Sequence, residues 1–124
     1  MSYREPLPEG CPPAEAEEVN AERVVYRLVR GHPPGLDDFR SQRAERPQGV
    51  FRGVSECLAR GLSVHSQRAD SEKTRKLPRF KNSFVCRLRL ANGAGRIQPT
   101  FQPSHHTWWP LASFDILGHS EVVT

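Results

Sequence analysis

The chain has few cysteines and no long apolar run. Its three cysteines, Cys11, Cys57 and Cys86, are odd in number and far apart, which predicts neither a disulfide framework nor a zinc site with paired Cys-x-x-Cys spacing. No apolar stretch reaches the length of a signal-peptide core or of a membrane-spanning helix. These absences predict a protein that acts in a reducing cytoplasm, and that would leave its cell only by a route that needs no such signal.

Several motifs of nucleotide-binding enzymes are also absent. The sequence contains no internal repeat, no coiled-coil pattern, no P-loop and no dinucleotide-binding fingerprint. Basic residues exceed acidic ones by only 18 to 14, for a net charge of +4. This excess favours anionic partners but is too small to diagnose nucleic-acid binding, so NAD, phosphates, nucleic acid and an acidic protein all remain candidates.

The composition indicates one loop-rich domain preceded by an arm. The 124 residues, of which 36% are hydrophobic, fit a single core, and 11 prolines and 9 glycines predict short elements joined by turns. Residues 1–22 contain several prolines and an acidic cluster at 15–18, with few large apolar groups. We therefore predict a flexible N-terminal arm over residues 1–22 and a folded domain over residues 23–124.

Hydrophobic periodicity in the domain predicts an α+β fold. The clearest alternation is Phe84–Leu90, whose Phe84, Cys86, Leu88 and Leu90 would face inward. Other predicted strands cover residues 23–30, 61–66, a segment from Gly95 that forms a hairpin through Asn92-Gly93, and 114–123; predicted helices cover residues 36–44 and 54–60. The expected architecture is a small, mostly antiparallel sheet with two or three short helices.

Segment 104–110, Ser-His-His-Thr-Trp-Trp-Pro, is the richest in chemistry. Imidazoles exchange protons near neutral pH and indole faces stack on flat rings, so the segment is suited to a pocket for a heteroaromatic ligand. In an extended strand His105, Thr107 and Trp109 face one way while His106 and Trp108 face the other. The segment is equally consistent with a strand that packs into the core, and the nearby prolines predict a sheet edge or a loop beside it.

Three further residues have two interpretations each. Arg27 would share a strand face with two valines, either as an anion-binding group at a cleft or as a surface residue. Ser63 and His65 would share one strand face, as a nucleophile and its base or as a polar cleft edge. Cys57 is predicted to be a core residue rather than a nucleophile, because no histidine or cationic cluster is aimed at it.

Four short motifs occur in the order of a known family. They are Tyr26-Arg27 on the first strand, Gly-Leu-Ser-Val at 61–64 after a helix, His-His-Thr-Trp-Trp-Pro at 105–110, and Leu-Gly-His at 117–119. This order resembles the type VI secretion cytoplasmic toxin family of Pseudomonas, whose fold is similar to that of the ADP-ribosyltransferase toxins. The resemblance spans about residues 24–122 and implies an ADP-ribosyltransferase-like fold.

The resemblance also implies a substrate and a set of site residues. NAD would be the substrate, either for ADP-ribosyl transfer or for its own depletion, and no metal is implied. Ser63 and His105 would be needed for toxicity, and Arg27 would bind the NAD phosphates. Thr107 lies on the matched motif, and Trp108 would pack against a ring of NAD.

The acid of such a site has no matching motif. The closing strand contains no Glu-x-Glu or Gln-x-Glu pair, so we assign Glu121, with Asp115 as the alternative, to stabilise an oxocarbenium-like transition state. A toxin of this class implies a cognate immunity or antitoxin protein, an acceptor that the sequence does not name, no membrane, and action in the cytoplasm, reached in a target cell through a secretion system. The alternative is a non-catalytic module that binds a protein, or that binds nucleic acid through the basic segment 68–81 and the two tryptophans.

Overall fold

The computed structural model describes residues 2–124, and Met1 lies outside the described part. Seven strands are β1 (Glu17–Glu18), β2 (Arg23–Val29), β3 (Leu62–His65), β4 (Phe84–Leu90), β5 (Gly95–Pro99), β6 (His105–Pro110) and β7 (Ser120–Val122). The helices are α1 (Gln42–Glu45), α2 (Glu56–Ala59) and α3 (Arg68–Arg75), and 3₁₀ turns lie at Leu36–Asp38, Pro78–Phe80 and Leu117–His119. The coarse fold prediction is confirmed: the chain is α+β, with an antiparallel sheet and three short helices.

The strands form one sheet in the order β1-β5-β6-β3-β2-β4-β7. Its longest ladder joins β2 to β4, from Arg23 opposite Leu90 to Val29 opposite Phe84. The predicted alternation of β4 is confirmed, since Cys86, Leu88 and Leu90 are buried in the core. The apolar residues of one sheet face therefore determine how these two strands pair.

The sheet curves strongly around its core. β4 and β5 are four positions apart in the sheet, a distance of about 19 Å in a flat sheet, yet only residues 91–94 connect them. Since that short connection also contains a turn, the two halves of the sheet have to fold toward each other. Their side chains share one core, in which Leu88 and Leu90 of one half accompany Ile97 and Trp108 of the other.

Helix α3 covers the opposite face of the central strands. Val85 of β4 is fully buried although it points away from the core face. The buried Ser71 of α3 lies 2.9 Å from Nδ1 of His65, and Nε of Arg75 donates to the carbonyl of Ser83. The basic segment after residue 67 forms α3 and the 3₁₀ turn that follows it.

The N-terminal segment packs on the domain, which corrects the prediction of an arm without regular structure. Glu17–Glu18 extends the sheet as an edge strand paired with β5. Ala16 and Val19 are buried, and the amide of Val19 donates to the carbonyl of Gly95 at 2.9 Å. Small apolar side chains were sufficient to bury this segment, because β5 leaves a strand edge open to pairing.

A disulfide joins the N-terminal segment to α2. Cys11 and Cys57 are bonded, which corrects two expectations at once: that no disulfide forms, and that Cys57 is a free core residue. With a disulfide present, the cysteines no longer indicate a reducing compartment. The free cysteine of residues 2–124 is Cys86, which lies in the core, where burial raises the pKa of its thiol to about 11.

Several element predictions are corrected in detail. The helix predicted over 36–44 is a 3₁₀ turn followed by the four residues of α1, and the strand predicted over 114–123 is a 3₁₀ turn followed by β7. β5 pairs with β6 and β1 rather than forming a hairpin with β4. Of the two positions predicted for β6, a sheet edge or a place beside a loop, the second is observed: β6 lies between β5 and β3 and follows the loop of residues 100–104.

The second predicted helix agrees closely with α2. Its N-cap is Ser55, whose hydroxyl accepts from the amide of Leu58, and the helix ends before Gly61. Within residues 2–124 no helix is long and apolar enough to cross a membrane.

Candidate functional site

The candidate site lies where β2 and β3 separate. The two strands are paired at a single position, Tyr26 opposite His65, and diverge beyond it. The gap opens into a cavity of about 480 Å³, whose lining includes Arg27 of β2, Ser63 of β3 and Thr107 of β6. We call this space the arginine cavity. The structure thus brings together three predicted site residues that are far apart in sequence.

Arg27 and Ser63 reach the arginine cavity from opposite faces of the sheet. The pairing of Tyr26 with His65 places Arg27 on the core face, together with Val25 and Val29, and places Ser63 on the other face. The two residues meet only because the strands part. Contact is made by the Arg27 guanidinium and the main-chain carbonyl of Ser63, at 2.8 Å, which leaves the serine hydroxyl free of Arg27.

The Arg27 guanidinium connects three segments of the chain. It donates to the carbonyl oxygens of Asp38 at 3.0 Å, Ser63 at 2.8 Å and Arg40 at 3.2 Å. Burial lowers the pKa of Arg27, and Glu45 and Asp38 act in the opposite sense. The group stays charged at neutral pH, and two of its five N–H groups are not used in these bonds. Arg27 therefore supports the cavity walls and retains donors for an anion.

Positive charge dominates the arginine cavity. Its lining contains five arginines and one carboxylate: Arg27, Arg30, Arg40, Arg46, Arg79 and Glu45. A second cavity of about 650 Å³ adjoins it and shares Arg27, Arg30, Arg40, Glu45 and Phe80 with it. Such a concentration of guanidinium groups is suited to phosphate or carboxylate groups, which accept paired N–H bonds.

Ser63 and Thr107 place two hydroxyl groups side by side. They are directly opposite each other in the β3–β6 pairing, so their side chains share one sheet face. Gly61 makes the arrangement possible, because a Cβ at this position would collide with the methyl group of Thr107. Ser63 is exposed and Thr107 is 3% exposed, so the serine is the more accessible hydroxyl.

His105 lies behind the arginine cavity rather than in its wall. Its Nδ1 is 2.9 Å from the hydroxyl of Thr100, which is in turn 2.9 Å from the hydroxyl of Thr107. Its ring is also perpendicular to the ring of His65, with centroids 5.7 Å apart. His105 can therefore act on the cavity only through neighbouring residues, as a positioning residue.

Both members of the histidine pair are shifted toward the neutral form. Burial lowers the pKa of His105, and the nearby His65 lowers it further. Burial likewise lowers the pKa of His65, although Asp70 acts in the opposite sense. Neutral imidazoles each offer one donor and one acceptor nitrogen, which is what a hydrogen-bonded hydroxyl chain requires.

Two of the sequence-based site residues lie outside the arginine cavity. Trp108 is fully buried in the core and its Nε1 donates to the carbonyl of Ala94 at 3.0 Å, so its ring cannot pack against a ligand in the arginine cavity. Glu121 lies on the edge strand β7, opposite Arg87, whose Nε is 3.5 Å from its carboxylate. Neither residue lines the arginine cavity or the second cavity.

The carboxylate that the structure offers instead is Glu45. It is exposed, lies at the end of α1, and lines both cavities. Sequence reasoning missed Glu45 because a four-residue helix has no pattern that sets one acid apart from another. Asp115, the other sequence-based candidate, accepts the amide of Gly118 at 3.0 Å and belongs to the turn before β7.

The nucleic-acid alternative loses its stacking residues. Trp109 is 1% exposed and its Nε1 donates to the carbonyl of Cys57, so neither tryptophan presents an indole face. In the basic segment, Arg68 and Arg75 donate to main-chain carbonyls. Arg79 of the same segment lines the arginine cavity.

Comparison of the chain with models of protein families, with curated protein sequences and with solved structures found no match. The assignment of a function therefore depends on the geometry of the arginine cavity and on the motifs of the sequence.

Proposed function

We propose that this protein is a toxin of ADP-ribosyltransferase-like fold that binds NAD in the arginine cavity and breaks its bond between ribose and nicotinamide. The observation that carries the proposal is the meeting of Arg27, Ser63 and Thr107 in one cavity, across 80 residues of sequence. These three residues belong to motifs whose order resembles the toxin family. A shared cavity gives a physical reason for the motifs to occur together.

The charge of the arginine cavity fits the pyrophosphate of NAD. Five guanidinium groups outnumber the single carboxylate in its lining. A pyrophosphate carries two negative charges and several acceptor oxygens, which such guanidinium groups neutralise and orient. Because Arg27 already uses three N–H groups on carbonyls, the other four arginines of the lining supply most of the free donors.

The reaction breaks the C–N bond from C1′ of the ribose, and its electron pair leaves with nicotinamide. An acceptor nucleophile, or water when NAD is depleted, then bonds to C1′ and loses a proton. Ser63 and Thr107 can hold the ribose hydroxyls or the nicotinamide amide. Glu45 is the carboxylate placed to stabilise the positive charge that develops at C1′.

A paired substitution tests this assignment of the acid. We expect Glu45→Gln to lower NAD consumption by at least about 100-fold, because a neutral amide cannot stabilise the oxocarbenium-like charge. Glu121→Gln, which makes the same chemical change outside both cavities, should retain wild-type activity. The measurements are release of nicotinamide by the purified variants, growth arrest on expression, and thermal melts.

The two substitutions distinguish Glu45 from Glu121 as the catalytic acid. If Glu121→Gln abolishes turnover and Glu45→Gln does not, the acid is on β7 and the arginine cavity is not the catalytic site.

We expect Ser63→Ala to abolish toxicity with little loss of stability, since the side chain is exposed and contributes few core contacts. A wild-type protein that consumes no NAD but binds nucleic acid, with affinity falling steeply in salt, would favour the binding-module alternative.

The proposal extends to partners and to the place of action. A toxin that consumes NAD acts in the cytoplasm of the target cell, which it would reach through a secretion system. The producing cell then requires a cognate immunity protein. An acidic surface on that protein would complement the cluster of arginines around the cavity.

A further inference from the structure

Phe101 is the unusual residue at the mouth of the arginine cavity. It follows β5 in the connection to β6, lines the cavity, and is 64% exposed, although large aromatic side chains usually contribute to a core. Within residues 2–124, Phe101 is the single non-glycine residue with a positive φ, which is 61°. A bulky side chain rarely adopts this conformation.

The turn around Phe101 is tightly fixed. The amide of Gln102 donates to the carbonyl of Thr100 at 2.7 Å, which closes a three-residue γ-turn centred on Phe101. A γ-turn with positive φ at its centre is rare and strained. The surrounding bonds hold it in place: Thr100 donates its amide to the carbonyl of His105, and the Thr100 hydroxyl bonds to Thr107 and His105.

The other aromatic rings that line the arginine cavity are already covered. The guanidinium of Arg79 lies 4.7 Å from the ring centre of Phe80, and those of Arg43 and Arg46 lie 4.9 and 5.5 Å from that of Phe51. Phe101 is the lining phenylalanine with no guanidinium over its ring in the described chain. It makes an edge contact with His105, with ring centroids 5.3 Å apart.

We infer that Phe101 is the residue on which the flat ring of the ligand stacks, and that it sets the specificity of the arginine cavity for a ligand with a heteroaromatic base. This inference rests on the proposed function and deepens it. The strained turn holds an apolar ring in solvent beside guanidinium groups, so a ligand that carries both a phosphate and a base would cover the ring while its phosphate is bound. A ligand without a base would gain nothing from Phe101.

The same network gives His105 a role. It bonds Thr100, the first residue of the turn, and its ring supports the edge of Phe101. His105 thus positions the stacking residue and the Thr107 hydroxyl together, without touching the ligand itself.

The test compares probes with and without a base. Calorimetric titration would measure binding of AMP, ribose 5-phosphate and pyrophosphate to the wild type and to Phe101→Ala, Phe101→Trp and Phe101→Gly. We expect AMP to bind the wild type about tenfold more tightly than ribose 5-phosphate, a typical stacking contribution. Phe101→Ala and Phe101→Gly should remove that difference, and Phe101→Trp should keep it.

Two controls separate binding from folding. Leu77→Ala shortens another exposed apolar side chain outside the cavity and should bind AMP like the wild type. Phe101→Gly relieves the positive φ, so its melting temperature should equal that of the wild type or exceed it by up to about 4 °C. A fall in melting temperature on this change would mean that Phe101 is a structural residue, and would overturn the inference.

The outcomes distinguish this inference from the proposed function. If the wild type consumes NAD and Phe101→Ala retains both the KM for NAD and the affinity for AMP, the stacking role is refuted while the proposed function stands. If the wild type binds neither AMP nor pyrophosphate, both fall. Loss of AMP binding in Phe101→Ala with unchanged pyrophosphate binding is the result that supports stacking.

Discussion

Replacement of Arg27 by methionine would remove the hydrogen bonds that join the walls of the arginine cavity, while changing little of the packing around the side chain. Methionine retains most of the apolar stem but has no N–H group and no charge. In the variant the carbonyl oxygens of Asp38, Ser63 and Arg40 lose a donor that lies 3.0, 2.8 and 3.2 Å away in the wild type. The expected result is a loss of stability as well as of anion binding.

The size of the loss follows from the environment of each bond. The bond to Asp38 is partly buried, and an acceptor left unpaired there costs about 1–3 kcal/mol. The bonds to Ser63 and Arg40 are exposed, so water can replace the donor and each loss is about 1 kcal/mol. Removal of a cation that burial disfavours offsets part of these losses. The net decrease in the free energy of unfolding is therefore about 2–4 kcal/mol.

Urea denaturation followed by tryptophan fluorescence would measure this decrease. Both tryptophans are buried, so their emission reports exposure of the core. At about 4 °C per kcal/mol, the melting temperature should fall by about 8–16 °C. Arg40→Met is the matched control: its guanidinium lines the same cavity but donates only to the exposed carbonyl of Ala44, so we expect a loss below about 1 kcal/mol. Equal stability of Arg27→Met and the wild type would refute the structural role of Arg27.

Two further predictions concern stability. Replacement of Cys11 and Cys57 by serine removes a disulfide between residues 46 positions apart, and the free energy of unfolding measured by urea denaturation should fall by about 4 kcal/mol. A wild-type melting temperature that is the same with and without reductant would contradict this prediction. His65 and His105 have pKa values lowered on folding, so the unfolded chain takes up protons first as the pH falls. Stability should be highest above about pH 6.5 and should decrease as the pH falls from there toward the lower pKa values of the folded state. Thermal melts of a His65→Gln/His105→Gln double variant should show a weaker pH dependence. An unchanged pH dependence would argue that the two pKa values are not lowered.

Local patterns in the sequence predicted the elements that depend on near neighbours. The alternation of Phe84–Leu90 identified β4, because side chains two residues apart share a strand face. The helix predicted over residues 54–60 agrees with α2, whose start is capped by the hydroxyl of Ser55 and which is followed by Gly61, a residue that tolerates a helix end. The same period-two argument placed Thr107 and Trp108 on opposite faces of β6, as the pairing shows.

The sequence by itself determined the α+β class, the facing of the residues within β4 and β6, and a short set of polar residues from which a site could be built. Only the tertiary structure decided the strand order, the bond between Cys11 and Cys57, and the separation of β2 from β3 that opens the arginine cavity. These features join residues tens of positions apart, and the local hydrophobic periodicity of a sequence does not indicate such contacts. For the same reason Trp108, which is buried in the core, and Glu121, which lines neither cavity, were assigned to the site, while the lining residues Glu45 and Phe101 were overlooked. The place of each residue depends on how distant segments pack, which the local pattern does not contain.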